Sequence, residues 1–184
     1  MRTSLIALTV KPVSKFVFIR FFIFFMFLMP SICFPSIPPR PQITQSGYKT
    51  EGVFTGGLGG YGFSILDVRR SSAAQKKLER IVIDVGDISG QAQLGLPGYY
   101  HAQLIKSPPR LVIDFSQTLE NRIASGKLAQ SFAKSLYVVK AVLSADRSDL
   151  STNLTLELRP EVKAKVYPVE GKTSTSKVVI DLTK

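Results

Sequence analysis

The chain has 184 residues and a formal net charge of +11, which suits one domain with additional segments and an anionic polymer or membrane surface as partner. A single histidine, His101, argues against a catalytic zinc site that needs at least two histidine-type ligands and an acid. The single cysteine, Cys33, excludes an internal disulfide, and we expect neither a metal nor a cofactor.

Residues 1–33 have the pattern of a secretory signal peptide. Basic residues and no acids precede the apolar run 21–29, and Ser31 and Cys33 supply small residues at −3 and −1 of a cut after Cys33. The weaker apolar stretch 16–34 nearly reaches the roughly 20 residues of a spanning helix, so an uncleaved anchor is the alternative. A lipoprotein is less favoured, because no small residue directly precedes Cys33. In the main cases the remainder is exported to the periplasm or cell envelope, and it touches the membrane only through an uncleaved N-terminal segment.

Residues 34–62 are predicted to be a linker. Prolines crowd residues 35–41, which disfavours a helix or a central strand. The stretch 56–62 is rich in glycine and lacks the Lys-Ser/Thr of a phosphate-binding loop. We expect disorder through about residue 60, and a folded domain at residues 63–184.

Four related six-residue segments dominate that domain. Each strong copy reads basic residue, two apolar residues, Ile, Asp and a last apolar residue; the copies are Arg80–Val85, Arg110–Phe115, Lys177–Leu182 and the weaker Asn153–Leu158. Their β-branched residues and flanking turns predict strands. One face of each strand is apolar and should enter a core, while the basic, Val and acidic positions should face solvent or a partner. Positions four apart lie about 13 Å from each other, so ion pairs on that face must join neighbouring strands.

The remaining segments predict further strands at 63–68, 99–105, 136–144 and 162–169, a short helix within 125–135, and a loop or hairpin connection over 69–79. The same order of three strands occurs in both halves of the domain: 80–85, 99–105 and 110–115 in the first half, and 153–158, 162–169 and 177–182 in the second. This internal repeat predicts an all-β fold, a sandwich of two symmetry-related sheets.

Ser107–Phe115, Ser-Pro-Pro-Arg-Leu-Val-Ile-Asp-Phe, resembles the Asn-Pro-Pro-Arg segment of the AMIN domain, and Lys177–Leu182 is similar to that domain's closing strand. AMIN domains stand at the N-terminus of periplasmic N-acetylmuramoyl-L-alanine amidases and in pilus secretins. The resemblance covers residues 63–182. It implies a two-sheet sandwich that binds peptidoglycan or targets proteins to envelope sites. No amidase or secretin channel domain follows, so we expect a free-standing AMIN-like protein.

The candidate binding residues are Arg80, Arg110 and Lys177, at equivalent positions of the repeat, with Tyr99 and Tyr100 on the strand next to Arg110. Arginine can hold the carboxylates of peptidoglycan stems in bidentate fashion, and tyrosine can stack on sugar rings. The plainer interpretation is that the basic residues merely charge the sheet surface.

We therefore expect a non-catalytic, peptidoglycan-binding domain and no enzyme. His101 is interpreted as a surface strand residue. Asp84, Asp114 and Asp181 recur at one position of repeated strands, which indicates a structural role rather than a glycosidase acid pair. Scattered basic residues and export argue against nucleic acid. The alternative is an interaction module that binds a secretin or a cell-wall amidase by strand addition at a sheet edge.

Overall fold

The computed structural model describes residues 47–60, 62–73, 75 and 77–184. The predicted signal peptide and residues 34–46 and 61 of the predicted linker lie outside these residues. Within them the elements are β1 (Gly52–Gly56), β2 (Phe63–Ala73), β3 (Leu78–Asp87), β4 (Tyr100–Ile105), β5 (Arg110–Phe115), β6 (Thr118–Asn121), α1 (Lys127–Phe132), β7 (Val138–Asp146), β8 (Ser151–Leu158), β9 (Lys163–Val169) and β10 (Ser176–Thr183). No helix among them is long and apolar enough to cross a membrane.

The strands form two five-stranded sheets. Sheet A has the order β6-β2-β3-β10-β9, and sheet B has the order β1-β4-β5-β8-β7. Every pairing is antiparallel except the short parallel contact between β2 and β6. The predicted all-β sandwich is confirmed.

The two halves of the repeat exchange hairpins between the sheets. The first half, β2 to β5, gives its hairpin β2-β3 to sheet A and its hairpin β4-β5 to sheet B. The second half gives β7-β8 to sheet B and β9-β10 to sheet A. The four-stranded centres β2-β3-β10-β9 and β7-β8-β5-β4 are therefore equivalent under exchange of the halves, which is the predicted symmetry of the two sheets.

The four repeated segments pair two by two at the middle of the sheets. In sheet A, Arg80 lies opposite Asp181 and Lys177 lies opposite Asp84. In sheet B, Arg110 lies opposite Glu157 on the weaker copy. Because the partners run antiparallel, the basic end of one copy meets the acidic end of the other. The predicted pairing of charges between neighbouring strands is confirmed in sheet A.

The core lies between the sheets and is built largely from these four segments. The apolar positions of the repeat are all at most 6% exposed: Ile81, Ile83, Val85, Leu111, Ile113, Phe115, Leu154, Leu156, Leu158, Val178, Ile180 and Leu182. Burying each such side chain contributes roughly 1.5–3 kcal/mol before the entropy cost of folding. The inward orientation of the apolar face is therefore as predicted.

The folded region begins earlier than the sequence predicts. Gly52–Gly56, inside the predicted linker 34–62, is strand β1 and pairs with β4 throughout its length. Phe54 is its one inward side chain and is 4% exposed, so this buried phenylalanine and the backbone pairing with β4 together hold the glycine-bounded segment on the sheet.

Two other boundaries also differ from the predictions. Residues 69–79 are predicted as a connection, yet β2 runs to Ala73 and pairs with β3 up to Ala73 opposite Leu78. Its outer residues are polar because this part of the hairpin is exposed, and polarity alone suggested a loop. The sequence also gives no signal for β6, which has only four residues.

Phe54→Ala should lower the free energy of unfolding by about 3–5 kcal/mol, because it leaves a cavity between the sheets. The neighbouring Val53→Ala changes an exposed side chain of the same strand and should cost less than about 0.5 kcal/mol. Urea unfolding of both variants measures the difference. Equal, small effects would mean that β1 does not belong to the folded domain.

Candidate functional site

Arg80 is held on the outer face of sheet A by a buried carboxylate. Its Nε and Nη2 atoms donate to the two oxygens of Asp181 at 2.7 and 2.9 Å. Asp181 is 4% exposed, while about half of the Arg80 side chain remains exposed. The Tyr167 hydroxyl also donates to Asp181, at 3.2 Å. This two-point contact fixes the plane of the guanidinium while one side stays accessible.

Two further residues complete a surface that we call the tyrosine–arginine patch: Tyr48, Arg80, Lys165, Tyr167 and Asp181. The Lys165 ammonium lies 5.2 Å from the centre of the Tyr167 ring, a cation–π distance. Backbone hydrogen bonds in both directions join Lys49 to Ala164 on β9. Since side chains alternate, this bridge puts Tyr48, which is 45% exposed, on the outer face beside β9.

The protonation states in the patch favour hydrogen-bond donors. The hydrogen bond to Asp181 raises the pKa of Arg80, which therefore stays charged at any physiological pH. Burial, and secondarily the charge of Asp181, raises the pKa of both Tyr48 and Tyr167. Both hydroxyls therefore stay protonated at neutral pH.

A cleft of about 300 Å³ opens at the same end of the sandwich. Thr50, Leu104, Pro109, Val162 and Lys163 are among its lining residues. Thr50 lies two residues from Tyr48 in sequence, and Lys163 two residues from Lys165, but none of the five patch residues lines the cleft. Its lining contains apolar residues, basic residues and Glu161, and its volume offers space for part of a bound molecule.

Lys177, a predicted binding residue, belongs to a second ion cluster at the opposite end of the β3–β10 pair. Asp84 accepts two hydrogen bonds from Arg69, at 2.9 and 3.0 Å, and its Oδ1 lies 4.0 Å from the Lys177 ammonium. Lys177 also donates to Ser174 and to the Thr175 carbonyl. It is thus engaged within the protein.

The predicted exposure of the acidic positions is wrong for sheet A. Asp84 and Asp181 are 8% and 4% exposed, because arginine side chains from neighbouring strands fold over them. These aspartates act as anchors for the arginines.

Arg110 and the two predicted tyrosines do not join the other candidates. Arg110 is exposed on sheet B, whereas Arg80 is on sheet A. Tyr100 is fully buried, and its ring packs near the ring of Phe115 with the centroids 6.4 Å apart. The predicted stacking of Tyr100 on a sugar is therefore wrong. The first residue of β4 points inward, and the tyrosines lie at the end of β4 distant from Arg110. Tyr99 is 39% exposed there.

Sequence reasoning missed Tyr48, Lys165 and Tyr167. Lys165 and Tyr167 share the outer face of β9 by simple alternation, but their proximity to Arg80 depends on β9 lying next to β10. Tyr48 lies in the predicted linker, where nothing in the sequence indicates that it packs against a sheet.

The outer face of sheet B carries His101 opposite Asp114. Burial raises the pKa of Asp114, and the charges of Asp149 and Asp146 raise it further, while His101 opposes the change. Among the described residues no group of three or more His, Cys, Asp or Glu side chains is arranged to hold a metal ion.

No protein-family model matches the chain, and no curated protein matches it.

Arg80→Ala should lower the free energy of unfolding by about 1–3 kcal/mol, because it leaves the buried Asp181 carboxylate without its main partner. Arg110→Ala removes the equivalent residue of the exposed copy and should change stability by less than about 0.5 kcal/mol. Chemical denaturation of both variants compares them. Similar costs would contradict the different roles assigned to these two positions.

Asp114→Asn should stabilise the protein at neutral pH. The raised pKa means that the folded state disfavours the charged carboxylate, so the wild type loses stability as the pH rises through and above 3.8, the ordinary carboxyl value. The gain should be less than about 1 kcal/mol, because water screens this partly exposed group. Melting temperatures at several pH values test this. The higher melting temperature of Asp114→Asn should disappear at low pH. A difference that grows at low pH would mean that the pKa of Asp114 is lowered, not raised, by folding.

Proposed function

We propose that this chain is a non-catalytic binding domain of the cell envelope that binds peptidoglycan through the tyrosine–arginine patch. The observation that carries the proposal is the arginine held by a buried aspartate between two tyrosines, one of which, Tyr48, is 45% exposed. This arrangement presents a fixed cation beside aromatic rings.

The chemistry of the patch suits a polymer of sugars and acidic peptides. The guanidinium of Arg80 keeps N–H groups beyond those that bind Asp181, and these can donate to a stem-peptide carboxylate. The ring of Tyr48 can cover the apolar face of a sugar, while Tyr167 lies beneath the Lys165 ammonium. Because Asp181 fixes the Arg80 guanidinium, little of the side-chain entropy of Arg80 is lost on binding.

Two sequence features support an envelope location for this activity. The hydrophobic N-terminal segment with preceding basic residues is typical of exported proteins. The Ser107–Phe115 segment resembles the AMIN family, whose members bind peptidoglycan or target proteins to envelope sites. Both features leave the bound surface unspecified, and the patch supplies a definite candidate.

The test is co-sedimentation of the purified protein with protein-free sacculi, at physiological salt and again at high salt. We expect binding that persists at high salt, because aromatic contacts are not screened. Tyr48→Ala should weaken it at least about tenfold, as truncation of an aromatic anchor does. Tyr99→Ala is the matched control, since Tyr99 has similar exposure at the other end of the sandwich.

The outcomes separate the hypotheses. If Tyr99→Ala abolishes binding to sacculi and Tyr48→Ala does not, the binding site lies at the other end of the sandwich. Binding that high salt abolishes would mean only a basic protein on an acidic polymer. Absence of pelleting would remove peptidoglycan as the ligand and favour a protein partner.

A further inference from the structure

Strand β7 leaves one side of sheet B open. Of the described strands it pairs with β8 alone, and with nine residues it is the longest strand at a sheet edge. Such an edge carries backbone N–H and C=O groups that can pair with another strand. The 40% exposed Val142 and the partly buried Leu143 add apolar surface along it.

The other edges are less open to an added strand. β9 contains two lysines and Pro168, which has no N–H to donate, and the segment at Lys49 already bridges to its Ala164. The edge strands β6 and β1 have only four and five residues. Among the described strands, β7 is therefore the one long edge with which no further strand pairs, while α1 packs beside its first part at residues 138–141.

We propose that β7 pairs with β7 of a second copy of this chain, in an antiparallel arrangement centred on Leu143. We choose a second copy as the partner because the charges of β7 are self-complementary: when one strand is turned antiparallel to another, basic and acidic residues meet. The segment Lys140–Asp146 reads Lys-Ala-Val-Leu-Ser-Ala-Asp and pairs with β8 without a break in register, beyond the bulge at Val138. Its only charges are opposite in sign and stand at its two ends.

In the pairing centred on Leu143, Lys140 of each copy lies opposite Asp146 of the other, which gives two equivalent ion pairs. Ala141 lies opposite Ala145 of the second copy, and the two Leu143 side chains meet on the inner side. Residues on the inner face of one copy stay on the inner face of the joined sheet, because positions opposite each other differ by an even number. The product is a continuous ten-stranded sheet with two-fold symmetry.

Neighbouring groups within the chain leave both charges able to take part. Lys140 lies 3.8 Å from Glu157, but both side chains are at least half exposed, so this contact is weak. Asp146 accepts hydrogen bonds from the Ser148 N–H and hydroxyl, at 2.9 and 2.6 Å, and those bonds lower the pKa of its carboxyl. A carboxylate has about four acceptor positions, so these bonds leave capacity for a lysine.

Sedimentation equilibrium over micromolar to millimolar concentrations tests the dimer. We expect a reversible monomer–dimer equilibrium for the wild type. Lys140→Glu and Asp146→Lys should each raise the dimer dissociation constant about tenfold, because each converts two attractive pairs into repulsive ones. The double variant restores opposite charges and should dissociate within about threefold of the wild type.

The double variant is the decisive comparison. It retains both local defects of the single variants, the repulsion of Glu157 and the lost bonds of Ser148, so recovery can only come from the contact between copies. Lys163→Glu makes the same charge change on edge strand β9 and should leave the dimer unchanged. Circular dichroism confirms that each variant is folded.

A wild type that stays monomeric at the highest concentration would overturn the proposal. So would a dimer that both single reversals leave unchanged, or single defects that the double variant fails to repair. The outcome is independent of peptidoglycan binding, because Tyr48 lies against sheet A and β7 belongs to sheet B.

Discussion

The structure depends on one constraint, the antiparallel pairing of a repeated strand with another copy of itself. Because each copy is basic at one end and acidic at the other, the reversed partner brings Arg80 to Asp181 and Asp84 to Lys177. The same register puts the apolar positions of both strands on the inner face. Charge and hydrophobicity thus specify the same alignment, and a one-residue slip would lose both.

The two sheets are built from equivalent repeated strands, but their outer faces differ in burial and charge. In sheet A the acidic positions are buried beneath arginines, whereas the corresponding Asp114 of sheet B is partly exposed and carries a raised pKa. The difference arises from the flanking strands: β2 supplies Arg69 and β9 supplies Tyr167, while β4 supplies His101. This is why the candidate site is assigned to sheet A alone.

The sequence was sufficient for the sandwich and its core, because strand periodicity and turn residues are local signals. The sequence was not sufficient to predict the candidate site. Which outer face of a sheet is covered by side chains depends on which strands are neighbours in the sheet, and the sequence does not show this. Tyr100 looks suitable for stacking in the sequence, yet the first residue of β4 happens to point inward. Tyr48 and Phe54 follow a proline-rich stretch, and only the tertiary contacts of β1 and β9 give them a role.

The exchange of hairpins between halves has a consequence for biosynthesis. Arg80 and Asp181, which lie 101 residues apart in sequence, sit side by side at the centre of sheet A. Strand β10 separates β3 from β9, so the centre of sheet A is completed only after residues 176–183 have been synthesised. Contacts of such long range slow folding.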